Sequence, residues 1–342
     1  MRVALLTNGL GFGGAERIVE ALADDLRAAG DAVEVWATTR GGPIADGLRS
    51  RGHAVHILGI RSALDLRVVR GLREHERRFR PDLVHSHLAV SDIASALAGS
   101  GPVRLSTVHN PGFEVRGPKR WLWQRALPRL DAVCAVSRAA ARQLRLPARV
   151  LRPSLVDLDT PSLPRVEARV RLGLDTAAPL VLAVGRLTHV KGFDVLAAAV
   201  PRLRTPGVQV AIIGEGPDRD QLDLNLLGPH PDAAQLIAAA DVLALPSRSE
   251  GFPQVPLHAM AVQVPVVATA VGGTPEVVVD GVTGRLVPSE QPEALAAALD
   301  DLLQHPAQAR EMGQAGRDRL RQEGLTRSAM VSAYRALYRE LC

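Results

Sequence analysis

Lysine, cysteine and aromatic residues are scarce in this sequence. Of its 41 basic residues only Lys119 and Lys191 are lysines, so a lysine inside a motif indicates a specific need for an ammonium group. Cys134 and Cys342 are too few for a disulfide framework or a metal site, as is typical of proteins of the reducing cytoplasm. Aromatic residues make up 3% of the chain, so leucine, valine and alanine must form the core.

Long apolar runs are also absent. No run approaches the length that a membrane-spanning helix needs. The amino-terminal residues MRVALLTNGLGFGGAE contain only a short apolar run and no cleavage-like segment, which predicts a first strand rather than a signal peptide. We therefore expect a cytoplasmic protein.

The positive charge is concentrated in the first half of the chain. Residues 1–155 carry 24 basic and 14 acidic side chains, whereas residues 156–342 carry 17 basic and 22 acidic ones. This asymmetry suggests an anionic partner for the first half, such as a membrane surface, a phosphorylated lipid or nucleic acid. A solvated arginine-rich surface explains the same count equally well. Nucleic acid is the weakest candidate, because aromatic side chains do not alternate with the basic residues and no binding motif is present.

Strands alternate with helices along the whole chain, which predicts an α/β fold with a doubly wound parallel sheet in each half. The 342 residues are enough for two domains, each with its own core. A proline- and serine-rich segment at 152–164 is typical of an interdomain linker. Helices are expected at 15–29, 68–80, 256–262 and 327–341. The predicted strands are Val3–Thr7, Val33–Ala37, Val55–Leu58, Leu83–Ser86, Val103–Val108, Ala132–Val136, Leu180–Val184, Val208–Ile213, Val242–Leu245, Val264–Thr269 and Arg285–Val287.

The stretch from Asp241 to Glu276, DVLALPSRSEGFPQVPLHAMAVQVPVVATAVGGTPE, contains a strand, a polar turn, a helix, a second strand and a glycine turn. Open α/β sheets build ligand crevices from such units at their strand ends. The stretch resembles the nucleotide-sugar site of retaining GT-B glycosyltransferases of family 4. The shared motifs are PSRSEGF, AMA, PVVA and GGTPE here, and GGAE, His109, GRLTHVKG and GEGP elsewhere. One position departs from the pattern, because the family's second glutamate is His258.

This resemblance covers essentially the whole chain. It implies two Rossmann-like domains that face a central cleft, with residues 1–155 on the acceptor side and residues 156–326 on the nucleotide-sugar donor side. It also implies that the helix at 327–342 crosses back to the first domain. The segment RDQLDLNLLGPH is shorter than its family counterpart and leaves room for about one helical turn before Leu227.

Arg186 and Lys191 are the predicted phosphate-binding residues. They follow a strand and precede a helix, where a guanidinium fork and an ammonium group can converge on two phosphates. The helix that opens near Gly192 adds backbone donors. The resemblance implies that Glu250 binds donor sugar hydroxyls while Gly251 and Phe252 let backbone amides approach the sugar. The alternative for Glu250 is a helix cap.

The resemblance implies further donor contacts. The backbone near Gly228 is expected to meet the base, and Gly273 to lie near the donor. The glycine loop between strand one and helix one contains Phe12. Its residues Gly13 and Gly14 would let the backbone approach the diphosphate and sugar. The family's second glutamate holds both ribose hydroxyls. His258 offers at most one acceptor when neutral, so a bidentate grip is impossible, and ribose binding is weaker, reshaped or transferred to another residue.

His109 follows a strand and matches a family position that meets the sugar and the reaction centre, so it joins Arg186, Lys191 and Glu250 as a candidate catalytic residue. Glu16, His87 and Trp121 are candidates for the acceptor side. His85 and His87 flank one strand end, and sequence alone leaves open which is structural and which lines the cleft.

Two further features concern partners. Trp121, beside Arg120, Arg125 and Arg129, is either an interfacial or acceptor-facing patch or an ordinary basic surface. Asp157 and Asp159 resemble a metal-binding pair but lie in the predicted linker. We therefore expect no metal and no cofactor, with the nucleoside-diphosphate sugar as a substrate.

The predicted function is retaining, hexosyltransferase-type transfer from a nucleoside-diphosphate sugar to a cell-surface glycan, lipid-linked or secondary-metabolite acceptor. No nucleophilic residue set stands in motif context, which agrees with front-face transfer as inferred for the family. The expected location is cytoplasmic, with a peripheral position on the inner face of the cytoplasmic membrane as a further possibility. Two alternatives are a non-catalytic nucleotide-sugar-binding protein, degraded at His258, and a sugar-nucleotide epimerase of the same fold.

Overall fold

The computed structural model describes residues 1–11, 13–59, 67–112 and 117–342. Their contacts divide the chain into two units. The first domain consists of Met1–Leu155 together with Arg327–Cys342, and the second domain consists of Val156–Thr326. Phe12, in the middle of the predicted glycine loop, lies outside the described residues.

All the strands of the described residues pair in parallel, in two sheets. The first domain contains β1 (Arg2–Gly9), β2 (Ala32–Arg40), β3 (Ala54–Ile57), β4 (Leu83–His87), β5 (Val103–Val108), β6 (Ala132–Ala135) and β7 (Arg149–Val150). The second domain contains β8 (Leu180–Val184), β9 (Gln209–Ile213), β10 (Asn225–Gly228), β11 (Val242–Leu245), β12 (Val266–Thr269) and β13 (Gly284–Val287).

Helices connect these strands. In chain order they are α1 (Gly14–Ala28), α2 (Pro43–Ser50), α3 (Arg67–Phe79), α4 (Ala89–Ala98), α5 (Pro118–Ala126), α6 (Arg138–Arg142), α7 (Arg165–Arg171), α8 (Phe193–Ala199), α9 (Ala233–Leu236), α10 (Gln254–Ala261), α11 (Thr274–Val277), α12 (Pro292–Gln304), α13 (Pro306–Gln322) and α14 (Arg327–Leu341). Within the described ranges, no helix combines the length and the apolar character needed to cross a membrane.

The first sheet has the order β3-β2-β1-β4-β5-β6-β7. The chain moves outward from β1 to β3 and then returns to the other side of β1, so the switch point lies between β1 and β4. Leu5 pairs with Val35 on one side and with His85 on the other, which fixes the register there. The carboxyl ends of these central strands are where a doubly wound sheet places a ligand site.

The last helix, α14, packs in the core of the first domain. Its apolar positions recur at helical spacing, and Met330, Tyr334 and Tyr338 are buried beside Leu5 and Leu22. Arg327 also forms a bidentate pair with Asp25 of α1, with two N–O distances of 2.7 Å.

The second sheet has the order β10-β9-β8-β11-β12-β13, so its switch point lies between β8 and β11. The strand pattern was predicted closely, and the bounds of β8, β11 and α14 match the sequence prediction. The edge strand β7 of the first sheet was not predicted, and neither was the short edge strand β10 of the second sheet. Strand β10 follows a single 3-10 turn, Arg219–Gln221, in the segment where the sequence left room for about one helical turn.

Candidate functional site

The switch point of the second sheet carries the strongest cluster of predicted residues. The strands β8 and β11 are neighbours, with Val181 opposite Val242 and Leu182 opposite Leu243. Because the strands are parallel, the loops that follow them leave the sheet at the same edge. One loop contains the predicted phosphate-binding residues and the other contains the predicted sugar-binding glutamate, so the topology brings the two segments together.

Lys191 and Glu250 form an ion pair at this edge. The Lys191 ammonium lies 2.7 Å from Glu250 Oε1, and the Ser247 hydroxyl donates to the same oxygen at 2.7 Å. The Glu250 side chain is 8% exposed, whereas that of Lys191 is 27% exposed. The carboxylate is therefore held from two sides in a nearly closed environment, while the ammonium keeps access to solvent. Ser247, which is fully buried, was not predicted as a site residue.

Arg186 lies in the same loop as Lys191, directly after β8, and it is exposed. None of the described residues forms an ion pair or a side-chain hydrogen bond with its guanidinium group. It is therefore a cation that remains available to an anionic ligand, in the loop that also carries Lys191.

Arg248 connects the Glu250 loop to the Lys191 loop through hydrogen bonds. Its guanidinium group donates to both carboxylate oxygens of Asp194 at 2.7 Å and to the His189 carbonyl at 2.6 Å, and it also pairs with Glu290. Its backbone N–H donates to the Val190 carbonyl at 2.8 Å. The bonds from Arg248 lower the pKa of Asp194. Sequence reasoning missed this residue, because nothing distinguishes one arginine in an arginine-rich chain.

Two glycines are required by close backbone approaches in these loops. Gly192 has a φ of +66°, and a Cβ on it would lie 2.0 Å from the Pro246 carbonyl oxygen. Gly272 has a φ of +52°, and a Cβ on it would lie 1.8 Å from the Glu250 carbonyl oxygen. A side chain at Gly192 would push the Lys191 loop away from the segment that leads to Glu250, and a side chain at Gly272 would push the glycine turn after β12 away from Glu250 itself.

Of the other predicted donor residues, Gly251, Phe252 and Gly273 lie in or against the Glu250 segment, whereas Gly228 ends the edge strand β10. Gly273 donates its N–H to the Glu250 carbonyl at 3.1 Å, which places the glycine turn against the glutamate segment. Gly251 is partly exposed, whereas the Phe252 side chain is buried. Gly228 ends β10 with a φ of +77°, and its carbonyl accepts a bond from Gly214.

His258 lies near the carboxyl end of α10 and is partly exposed. Burial lowers its pKa to about 4, so the imidazole is neutral near pH 7. A neutral imidazole has one donor and one acceptor, in contrast to the two acceptor oxygens of a glutamate.

In the first domain, Gly13 and Gly14 form the start of α1 after β1. Gly13 is the N-cap, in an extended conformation, and Gly14 is exposed. Glu16 lies in the first turn and folds back over Gly13, since its carboxylate would contact a Cβ there. A carboxylate is favoured at this position by the helix dipole.

His109 follows β5 and is partly exposed. The structure distinguishes the two histidines of β4 that sequence could not separate. His87 Nδ1 lies 3.0 Å from His109 Nε2, whereas His85 is bonded to Tyr338 and Thr107. Both β4 histidines are fully buried, so the contact of His87 is with His109 rather than with solvent. Burial lowers the pKa of His109 to about 4.

Trp121 lies on α5 with 58% of its surface exposed. The Arg125 guanidinium lies over its ring, 4.3 Å from the centroid, while the neighbouring Trp123 is buried and donates to Asp92 at 2.7 Å. The helix thus presents one aromatic ring and a cation to solvent and anchors itself through another aromatic ring.

The acidic pair in the linker makes local bonds. Asp157 accepts bonds from the Asp159 backbone N–H at 3.0 Å and from the Thr160 hydroxyl at 3.1 Å. No group of three or more histidine, cysteine, aspartate or glutamate side chains within the described ranges has the arrangement of a metal site.

Comparison with known proteins identifies the family. The family model described as Glycosyltransferase Family 4 matches residues 12–153, and the model described as Glycosyl transferases group 1 matches residues 178–305. The alpha-maltose-1-phosphate synthase of Mycolicibacterium smegmatis is 32% identical over 292 residues, which covers 70% of this chain and 74% of that protein. The chain belongs to the group 1, family 4 glycosyltransferases. The predicted family membership is confirmed.

The match to a second relative is shorter. The D-inositol 3-phosphate glycosyltransferase of Segniliparus rotundus is 36% identical over 197 residues, which covers 51% of this chain and 44% of that protein's length. Among solved structures, HepE of Anabaena in complex with UDP and glucose has a TM-score of 0.86 and 20% identity, with 100% of both chains covered. These likenesses show that this family 4 glycosyltransferase has the predicted GT-B fold, with two Rossmann-like domains.

Proposed function

We propose that this family 4 glycosyltransferase transfers a sugar, with retention of configuration, from a nucleoside-diphosphate sugar to a cell-surface glycan, lipid-linked or secondary-metabolite acceptor. The observation that carries the proposal is the Lys191–Glu250 pair at the switch point of the second sheet, with the exposed Arg186 in the same loop as Lys191. HepE of Anabaena, which shares the fold, was solved with UDP and glucose, and this supports a nucleoside-diphosphate sugar as the donor.

In this proposal the ion pair prepares the donor site. Lys191 and Glu250 form an ion pair with an N–O distance of 2.7 Å. A bound diphosphate competes for the ammonium, since two phosphates carry more charge than one carboxylate, and Arg186 contributes a second cation. The released Glu250 carboxylate then accepts hydrogen bonds from donor sugar hydroxyls. Gly251, Phe252 and Gly273 would contribute backbone contacts to the sugar.

The remaining donor residues have supporting roles in the proposal. The backbone near Gly228 would meet the base, and Gly13 and Gly14 would approach the diphosphate and sugar. His258 would contact the ribose as a neutral imidazole, with a single acceptor in place of the two oxygens of a glutamate.

The proposed transfer step needs no protein nucleophile. The bond from the anomeric carbon to the diphosphate oxygen breaks, and a bond to the acceptor oxygen forms on the same face. The acceptor proton passes to the departing diphosphate, whose negative charge Lys191 and Arg186 stabilise. His109 would lie near the reaction centre as a neutral hydrogen-bonding group, because its pKa of about 4 keeps it uncharged near pH 7.

The first domain would bind the acceptor, with Glu16 and Trp121 as candidate contacts. The Trp121 ring is 58% exposed with Arg125 stacked on it, and residues 1–155 carry an excess of ten basic side chains. An exposed aromatic ring with nearby cations favours the surface of an anionic membrane. We therefore propose a cytoplasmic protein that binds the inner face of the membrane peripherally. Flotation with anionic liposomes at low salt should retain the wild type and lose Trp121→Ala, whereas no retention of the wild type would contradict this part.

A panel of UDP, GDP, ADP and dTDP sugars tests the main proposal. One donor should raise the melting temperature of the wild type and release its nucleoside diphosphate slowly by hydrolysis. The Lys191→Met variant should lose both effects, whereas Arg202→Met should keep them. Arg202 is a matched control, because it forms a single exposed ion pair with Glu293 in the same domain.

The panel also separates the two alternatives. No stabilisation by any donor, or binding without turnover, would favour the non-catalytic protein degraded at His258. Conversion of a donor into its epimer without an acceptor would favour the epimerase.

A further inference from the structure

A row of buried polar side chains links α14 to the end of β5 in the first domain. His85 and His87 are two residues apart on β4, so their side chains share one face of the sheet. The Tyr338 hydroxyl lies 2.6 Å from His85 Nδ1, and the Thr107 hydroxyl lies 2.8 Å from His85 Nε2. Both ring nitrogens of His85 are therefore bonded, and its ring is fixed between α14 and β5.

His87 is placed differently. Its ring packs on His85, with centroids 4.1 Å apart, and its Nδ1 lies 3.0 Å from His109 Nε2. The side chain is fully buried, and its Nε2 has no hydrogen-bond partner among the residues that the structure describes. Within the described part of the chain, the His87 ring makes one hydrogen bond, to His109. His109, in contrast, is partly exposed.

The hydrogen bond between the His87 and His109 rings contains one proton, which belongs to one of the two facing nitrogens. Burial lowers the pKa of His109 to about 4 and that of His87 well below its usual value, so both are neutral near pH 7. A hydrogen bond between two neutral imidazoles needs one N–H and one bare nitrogen. The tautomers of His87 and His109 are therefore coupled, because a proton on His87 Nδ1 requires a bare His109 Nε2, and a bare His87 Nδ1 requires a proton on His109 Nε2.

The unpartnered nitrogen indicates the direction of this bond. Buried N–H groups without an acceptor are rarer than buried acceptors without a donor. His87 Nε2 is thus the bare nitrogen, and His87 Nδ1 carries the proton and donates to His109 Nε2. We propose that His87 is a positioning residue that holds His109 in the tautomer with its proton on Nδ1. The proposal rests on the proposed function only in its consequence for turnover.

Nitrogen-15 NMR of the histidine rings tests the tautomer in the wild-type protein without any activity measurement. The His109 signals are assigned by comparison with the spectrum of His109→Gln. We expect a protonated Nδ1 and a bare Nε2 in His109 between pH 7 and pH 8. A protonated Nε2 would overturn the proposal, and this result depends on neither the folding of a His87 variant nor the presence of a donor.

Variants then test whether His87 is the cause. His87→Phe keeps a ring but removes the donor, so His109 should lose its fixed tautomer, whereas His87→Gln supplies an amide donor and should restore it. Thr107→Val is the matched control in the same buried row. It should lower the melting temperature and leave the His109 tautomer unchanged. An unchanged tautomer in His87→Phe, or an equal change in Thr107→Val, would contradict the assignment.

Turnover provides the functional readout. Loss of a partner that orients a functional histidine costs about 10–100-fold at metal sites, and we expect a fall of that order in kcat for His87→Phe. The KM for donor should stay within about twofold, and His87→Gln should recover most of the rate. A wild type that binds no donor would refute the proposed function while leaving the tautomer result intact. A normal kcat in His87→Phe, with the tautomer lost, would refute the link to catalysis.

Discussion

Replacing Lys191 should destabilise the protein because the nearly buried Glu250 carboxylate loses its cationic partner. In Lys191→Met the aliphatic stem remains, but Glu250 Oε1 keeps a bond from Ser247 alone. The Glu250 side chain is 8% exposed, so water replaces the lost ammonium poorly. Breaking a fully buried pair from one side costs about 3–5 kcal/mol, and a bond to a charged group contributes about 1.5–3 kcal/mol. Because Lys191 itself is partly exposed, we expect a loss of about 2 kcal/mol.

The converse change should be milder. Glu250→Gln removes the charge that is nearly enclosed and leaves a lysine that is 27% exposed and that water can solvate. We expect this variant to lose about 1 kcal/mol or less. The double variant Lys191→Met/Glu250→Gln no longer contains a stranded charge and should recover about 1 kcal/mol relative to Lys191→Met.

Urea unfolding of the four proteins at pH 7 gives the coupling energy directly. A loss of about 2 kcal/mol corresponds to roughly 4–8 °C in melting temperature for a domain of this size. Arg202→Met, which breaks an exposed pair, should change stability by less than about 1 kcal/mol. If Lys191→Met were as stable as the wild type, or if the double variant recovered no stability, the buried Glu250 carboxylate would not depend on Lys191.

Three further substitutions follow from the same structure. His258→Glu adds an acceptor, so calorimetry should show about tenfold tighter binding of ribonucleoside diphosphates; an equal gain for 2′-deoxy counterparts would contradict a ribose contact. Arg248→Lys loses the planar guanidinium group that joins the loops of Lys191 and Glu250, and should raise the KM for the donor about tenfold with little change in kcat. An unchanged KM would show that Arg248 does not hold these loops in the geometry that binds the donor. Asp92 accepts bonds from Ser86 and Trp123, so Asp92→Asn places an amide NH2 group, which cannot accept a bond, against one of these donors and should lose about 1–3 kcal/mol in urea unfolding at pH 5. Burial raises the pKa of Asp92 to about 6, so the protonated carboxyl group contributes stability that is complete below about pH 4 and is lost as the pH rises through 6. The difference in unfolding free energy between wild type and Asp92→Asn should therefore be smaller at pH 8 than at pH 5. An equal difference at both pH values would contradict the raised pKa.

The sheet could be predicted from sequence because its central strands are buried on both faces. Val242–Leu245 is apolar throughout, and all four of its residues are buried, so the run itself marks the strand. The edge strand β10 escaped prediction because Asn225–Gly228 is only partly buried and lacks such a run. The last helix was predicted with its bounds because its apolar residues keep a helical period along one face.

The contacts between the loops of Lys191 and Glu250 could not be predicted from sequence. Lys191 and Glu250 are 59 residues apart, and their positions after two strands suggested that they meet, but not that they bond to each other. The bidentate bonds of Arg248 depend on a loop conformation that no local pattern specifies. Likewise, the different roles of His85 and His87 depend on Tyr338, which is 253 residues from His85 and reaches it only through tertiary packing.

We infer that the switch point of the second sheet binds a diphosphate through Lys191 and Arg186. Isothermal titration calorimetry measures the affinity of UDP, GDP, ADP and dTDP and, separately, of the corresponding monophosphates. We predict that at least one diphosphate binds about tenfold tighter than its monophosphate, and that this margin disappears in Lys191→Met but not in Arg202→Met. Equal binding of every diphosphate and its monophosphate, or a margin that survives in Lys191→Met, would contradict the claim.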